Sequence, residues 1–485
     1  MTVQLNNLDL WKTSSFVNGE WEQAHSSFKV ENPANRQIIA EIDEVTPEQL
    51  ELAVNSAYQA LAKWQQKTVD ERATLLRRWF ELIIANQADL AAIMTAEQGK
   101  PMPEASGEVV YGANYIRWYA EEARRINGDV LPVNQAGRRA LVLKRPIGVV
   151  TAITPWNFPS SMILRKAAAA LAAGCTFVVK PSELTPLSAL ALAQLSSDAG
   201  IPAGVFNVVV GSNAQPIGEI LTTHPKVAKF SFTGSTFVGK KLLHQCASTV
   251  KKTSMELGGN APYIAFDDAD LEVAVKGAMG SKFRNSGQTC VSANRIFVHK
   301  TIHDEFVARL QDKVAELKIG EGTNEGINIG PLIEPKAVEK VEQLVNQAVE
   351  SGAEIVCGGT RVQGEGNFYQ PTILTGVSAD MDIFNCEIFG PVASIIPFES
   401  EEEVVRLANQ TNYGLCSYVF TQNLNRIWRL SEKLEFGMVG INEGVLSNPA
   451  APFGGIKESG MGREGGRWGI EDYLETRYVC MGNIS

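Results

Sequence analysis

From Ile147 onward the chain repeats one pattern, and that pattern restricts the available folds more than any other feature. Short β-branched or apolar runs at residues 147–154, 176–180, 205–210 and 227–232 alternate with Ala-rich or Leu-rich stretches closed by Gly174 and Gly200. Such alternation predicts a mostly parallel sheet with helices on both faces. A second series starts near Tyr263 and runs past Gly440, so two α/β domains are expected. With 485 residues there is room for two or three cores.

Before Ile147 the texture is a short β-meander followed by helices. Asn18-Gly19 between apolar residues is a hairpin signal. Thr46-Pro47-Glu48-Gln49 and Thr68-Val69-Asp70-Glu71 are capping-box patterns, each followed by apolar residues at helical spacing. Gly99-Lys100-Pro101 stops one helix, and another is expected from about Glu104 to Ile126, ended by Gly128. Residues 140–144 and 477–481 belong to neither series. They are expected to pair in a small flap, whose open edge suits the joining of subunits.

The formal net charge of −10, with dispersed basic residues, argues against nucleic acid or an anionic membrane as partner. The N-terminal residues lack a signal-peptide pattern, and no apolar run approaches the roughly 20 residues that cross a bilayer. Seven scattered cysteines without a CxxC pair read as reduced thiols in a cytoplasm. His299 and His303 are four apart but accompany no carboxylate motif, and no metal site is expected.

Cys290 ends the polar turn Asn285-Ser286-Gly287-Gln288-Thr289, a setting that suits a nucleophile aimed into a cleft better than a packing thiol. Glu256 lies between Met255 and Leu257 at a strand end, where apolar neighbours lift a carboxyl towards the range of a general base. The Asn157 amide, in another strand-end loop, can donate to an oxyanion or simply satisfy backbone groups. Residues 230–239, with Gly234 and Gly239, read as strand, glycine turn and helix start, either a phosphate cradle or a structural turn. Lys180 and Glu183 leave a strand three apart, and they either hold ribose hydroxyls or form a solvated loop.

Seven stretches in one order carry a resemblance: TPWNFP (154–159), KPSE (180–183), FTGST (232–236), ELGGN (256–260), GQTC (287–290), EIFGP (387–391) and PFGGIKESG (452–460). From about Phe16 to the C-terminus the chain resembles the aldehyde dehydrogenases. The resemblance implies a Rossmann-like cofactor domain (1–122, 146–255 and 448–468), an α/β catalytic domain (256–447) and a β oligomerisation flap (123–145 and 469–485). It makes Cys290 the nucleophile, Asn157 an oxyanion donor with the Cys290 backbone N–H, and Glu256 the base that activates the hydrolytic water. It assigns the cofactor to Trp156, Lys180, Ser182, Glu183, Gly234, Ser235, Gly239, Leu257, Glu387 and Phe389. NAD is expected in preference to NADP, because the Glu183 carboxylate would repel a 2′-phosphate.

Within the superfamily, Arg165, residues 283–285 and Ser447-Asn448 resemble the substrate-site pattern of succinate-semialdehyde dehydrogenases. Arg165, Arg284 and Ser447 would then clamp the carboxylate of an ω-semialdehyde, with succinate semialdehyde first and glutarate semialdehyde or a broader range as alternatives. Two departures from relatives stand out: Ser292 replaces a cysteine two residues after the nucleophile, and Ile388 replaces a threonine. A homo-oligomer, dimer or tetramer, is the implied assembly. A Cys-Glu-Lys amide or nitrile hydrolase is the competing class, but it leaves FTGST and KPSE without a role.

Overall fold

A computed structural model describes residues 3–484. Residues 1, 2 and 485, the outer ends of the first and last expected segments, lie outside it. The hairpin forms as its sequence requires: Asn18 and Gly19 both take positive φ (54° and 86°), the turn that matches strand twist. Both capping boxes close, with Thr46 against Gln49 and Thr68 against Glu71, and start helices Pro47–Gln66 and Val69–Ala85. The helix expected to reach Ile126 spans Met102–Glu122 and ends in a single 3-10 turn, Ala123–Arg125. The first strand of the α/β series is shorter than its apolar run, because Gly148 (φ +135°) breaks it before Val149.

The larger sheet has eight strands, and five of them are parallel, in the spatial order Phe206–Val208, Thr176–Lys180, Val149–Ile153, Val227–Thr233 and Lys252–Glu256. Sequence order reverses between Val149–Ile153 and Val227–Thr233. Open α/β sheets bind ligands at such a switch point, beyond the strands' C-terminal ends. The loops that leave these two strands are TPWNFP and FTGST. Helix Ser161–Ala173 follows the first, and all its side chains are buried, which accounts for its alanine-rich sequence.

The second sheet has seven strands, with Ala261–Ala265 between Ala293–His299 and Cys416–Phe420, all parallel. Cys290 lies just before Ala293–His299, and Glu256 ends the last parallel strand of the first sheet. The chain thus passes through ELGGN from the C-terminal edge of one sheet to the N-terminal edge of the other. The candidate residues gather between these two edges. Leu474–Met481 pairs antiparallel with Arg139–Pro146, Ala140 opposite Cys480, and Asp129–Leu131 pairs on the other side, so Leu474–Met481 and Asp129–Leu131 are the two edges of this third sheet.

Candidate active site

The turn before Cys290 has a demanding backbone. Asn285, Ser286 and Gly287 take consecutive left-handed conformations (φ 52°, 55° and 74°), which non-glycine residues adopt only when neighbours hold them. Here the Asn285 N–H donates to Glu104 Oε2 (2.9 Å), and Gln98 Nε2 donates to Asn285 Oδ1 (3.1 Å). Ser286 Oγ donates to the Gly330 carbonyl at 2.8 Å. A Cβ on Gly287 would stand 2.1 Å from the Gly390 carbonyl oxygen, so the GQTC turn packs main chain to main chain on EIFGP. The Asn157 amide donates to the Gln288 carbonyl at 3.1 Å, which ties TPWNFP to the same turn.

Cys290 stands where two cavities meet. One, of about 330 Å³, is lined by Lys100, Glu104, Tyr111, Arg165, Arg284, Val445, Ser447 and Phe453, among others. The other, of about 430 Å³, is lined by Trp156, Asn157, Gly234, Ser235, Leu257, Glu387 and Phe389, with Lys336 and Lys340. Cys290 and Met162 belong to both. The three expected clamp residues therefore share the smaller cavity with the thiol, and most of the expected cofactor residues share the larger.

The remaining expected residues lie off these walls. Lys180 ends its strand beside Ile153 and pairs with Glu183 at 2.7 Å, so that carboxylate is not free of a counter-charge. Ser182 Oγ accepts from Leu184 N at 3.3 Å. Gly239 lies inside helix Thr236–Ala247, where a Cβ would meet Leu257 Cδ2 at 2.4 Å, so it serves close packing. Glu256 lines neither cavity. It is 3 % exposed, lies next to Gly454, and neither carboxyl oxygen has a hydrogen-bond partner among the described residues.

The larger cavity fits a dinucleotide on its own features. Ser235 lines the cavity and caps helix Thr236–Ala247, so the positive end of that helix lies at the cavity's edge and suits a phosphate. Glu387 Oε1 accepts from Gly259 N (2.9 Å), leaving its other oxygen for a hydroxyl, and the Trp156 and Phe389 rings meet edge to face at 5.6 Å. Burial raises the Glu387 carboxyl to about 7, against the Gly259 N–H.

Burial raises the pKa of both catalytic candidates, as it does for other enclosed groups such as Cys416 and Glu97, and at the candidates neighbouring carboxyls add to it. Burial pushes the Cys290 thiol up, and the nearby Glu387 and Glu256 carboxyls push it further. Burial also raises the Glu256 carboxyl well above its usual range, and Glu464 adds to this against Arg165 and Lys166. For Glu464 burial acts the same way, but Arg165 and Lys166 outweigh it and hold it ionised. Arg165 and Lys166 both bond Glu464, and the Arg165 guanidinium lies 4.0 Å over the Phe453 ring. Arg165 is thus an ion-paired member of the expected clamp. Its Nη2, like Arg284 Nε, has no hydrogen-bond partner among the described residues.

Several lining residues were not singled out from sequence. Lys100 was visible only as part of a helix stop, and Phe453 only in a Gly-rich loop. Glu104 was visible only as a helix start, and Tyr111 and Lys340, like Glu464 behind the wall, carried no local signal, because their relevance comes from contacts far along the chain.

The family model described as "Aldehyde dehydrogenase family" matches residues 21–479. The NADP(+) succinate-semialdehyde dehydrogenase GabD of Escherichia coli (strain K12) is 52% identical over 482 residues, 99% of this chain and 100% of the relative. The 3-sulfolactaldehyde dehydrogenase of Pseudomonas putida is 53% identical, covering 99% of each. The crystal structure of succinate-semialdehyde dehydrogenase from Burkholderia pseudomallei superposes with a TM-score of 0.97 at 50% identity, covering 99% of this chain and 100% of that one. With nearly its whole length matched in both sequence and fold, the chain belongs to the aldehyde dehydrogenase family, oxidoreductases that use NAD(P).

Proposed function

We propose that the protein oxidises a short aldehyde carrying a terminal anion, first of all succinate semialdehyde, to the corresponding acid. The observation that carries this is the presence of Arg284 and Arg165 with Cys290 in one cavity, while Cys290 also borders the cavity assigned to the dinucleotide. Arg284 receives the carboxylate, Ser447 adds a hydroxyl donor, and Arg165, oriented by Glu464, offers its unpartnered Nη2. Succinate semialdehyde is the first candidate and glutarate semialdehyde the second.

Cys290 releases its thiol proton to solvent and adds as thiolate to the aldehyde carbon, and the oxygen becomes an oxyanion facing the Asn157 amide and the Cys290 N–H. When bound, the nicotinamide supplies the hydride acceptor and a positive charge beside the thiol. Loss of hydride from the tetrahedral carbon leaves a thioester on Cys290. Glu256 takes a proton from water, the hydroxide adds to the thioester, and Cys290 leaves as thiolate. Glu256 lies beside Gly454, and its oxygens make no hydrogen bond among the described residues that would compete with the water. Glu387 holds the nicotinamide ribose, and Ser235 with its helix N-terminus holds the pyrophosphate.

NAD is the first cofactor assignment, since Glu183 can accept from a 2′-hydroxyl. Because Lys180 already neutralises it at 2.7 Å, the preference over NADP is modest rather than strict. The exposed edge strand Asp129–Leu131, with Val130 78 % exposed, and Tyr478 at 63 % support subunit joining through the flap. No helix among the described residues is long and apolar enough to cross a membrane. A cytoplasmic homo-oligomer completes the assignment.

The test compares succinate semialdehyde with butanal, which lacks the carboxylate, in wild type and Glu256→Gln. A strong preference for the semialdehyde, with a burst of reduced cofactor but slow turnover in Glu256→Gln, is expected. Equal efficiency on both aldehydes removes the clamp. A full-speed Glu256→Gln enzyme removes the base.

A further inference from the structure

A buried ion pair lies behind the oxyanion hole, and no step above uses it. Lys100 and Glu108 are bonded at 2.5 Å, each with a side chain 1 % exposed. Their remaining bonds converge on one loop. Lys100 Nζ also donates to the Asn157 carbonyl (2.8 Å) and sits 4.1 Å over the Phe158 ring. Glu108 Oε1 accepts from the N–H groups of Ser160 (3.0 Å) and Ser161 (3.1 Å). The same pair thus grips the loop carrying Asn157 and the start of the helix carrying Arg165.

Burying such a pair is costly, and an apolar substitute is often no less stable, so fold stability alone explains it poorly. The placement of its bonds explains it better. We propose that Lys100, anchored by Glu108, is a positioning residue for the oxyanion hole, fixing the Asn157 main chain so that its side-chain amide opens on the Cys290 side. The Asn157 carbonyl takes two side-chain donors, Lys100 Nζ and Asn285 Nδ2 (3.0 Å). One restrains it from the helical wall and the other from the nucleophile's own turn. Without the ammonium the peptide is held on the Cys290 side only, and rotation about it moves the amide away from the oxyanion. Lys100 also lines the substrate cavity, so the competing role is a third cation for the substrate's carboxylate.

This inference rests on the reaction proposed above, and its test keeps the two apart. Wild type and Cys290→Ala are assayed first with succinate semialdehyde and butanal. A wild type inactive on both, or an active Cys290→Ala, overturns the reaction itself. The intact enzyme is then compared with Lys100→Met and with Lys100→Met/Glu108→Gln, which leaves no buried charge unpaired if the single variant fails to fold. Positioning predicts that kcat falls about tenfold or more, less than full loss of an oxyanion donor, and equally for both aldehydes. It also predicts KM values within about twofold and an unchanged rate of Cys290 alkylation by iodoacetamide, which needs no oxyanion hole. A loss confined to succinate semialdehyde makes Lys100 part of the clamp and overturns the proposal. A lowered melting temperature with unchanged kcat per alkylatable Cys290 makes the pair structural and overturns it too.

Discussion

The cavity proposed for the dinucleotide mixes glycines and small residues of the strand-end loops with Trp156, Phe389 and the charged Glu334, Lys336, Lys340 and Glu387. The one holding the arginines is walled by charged and aromatic side chains gathered from Lys100 to Phe453. In the first, shape is set by backbone, as at Gly234 and Gly258, where a Cβ would stand 2.5 Å from Phe232 and 3.0 Å from Glu387. In the second, shape and charge are set by pairs such as Arg165–Glu464 and Lys100–Glu108. The difference assigns each wall a task. With the first cavity taking the cofactor and the second the substrate, as proposed, the second can change its side chains without altering the fold.

Cys290 is common to both walls, and its loss is the largest expected effect. Cys290→Ala should lower kcat by about 10⁴-fold or more with either aldehyde, while titration of bound cofactor by fluorescence stays near wild type. If cofactor affinity fell in parallel, the two cavities would not be separable at this residue.

Arg284→Ala sharpens the division. Losing one charge-assisted contact costs about 2–3 kcal/mol, or roughly a hundredfold in kcat/KM for succinate semialdehyde. Butanal efficiency and the KM for cofactor should not move. Equal losses on both aldehydes would mean that Arg284 shapes the catalytic turn rather than the substrate wall.

The thiol's own titration reports on the carboxyls around it. Burial, Glu387 and Glu256 all raise it, so without cofactor the thiolate is scarce at neutral pH and grows as pH rises towards the raised value. Alkylation of Cys290 should therefore keep climbing by about tenfold per pH unit beyond about pH 9, where a free thiol has levelled off. A plateau near pH 8 would remove the burial argument.

The smallest effect belongs to the cofactor's adenosine end. Glu183 is half-exposed and paired with Lys180, and such pairs are worth little, so Glu183→Gln should shift the NAD to NADP ratio of kcat/KM by about fivefold or less. A much larger shift would show that the pair opens when cofactor binds.

The legible parts of the site were those where backbone shape dictates residue type. GQTC and ELGGN could be read because Gly287 and Gly259 sit against carbonyl oxygens, with a Cβ coming within 2.1 and 2.2 Å. The alternation after Ile147 foretold both sheets, and the two extended runs outside it do pair. Lys100 was passed over because its partner Asn157 is 57 positions away, and Glu464 because Lys166 is 298 positions away. No spacing rule reaches that far.

By itself the sequence determined the order of strands and helices, the turns that need glycine, and which side chains are chemically equipped to act. These depend on local sterics and hydrogen bonding, which act over a few residues. Only the tertiary structure decided how those side chains stand: that Arg165 is tied to Glu464, that Glu256 is held without partners, and that the Cys290 thiol is pushed up rather than down. Burial and neighbouring charge set protonation and pairing, and both are properties of what the fold brings close, not of what lies next along the chain.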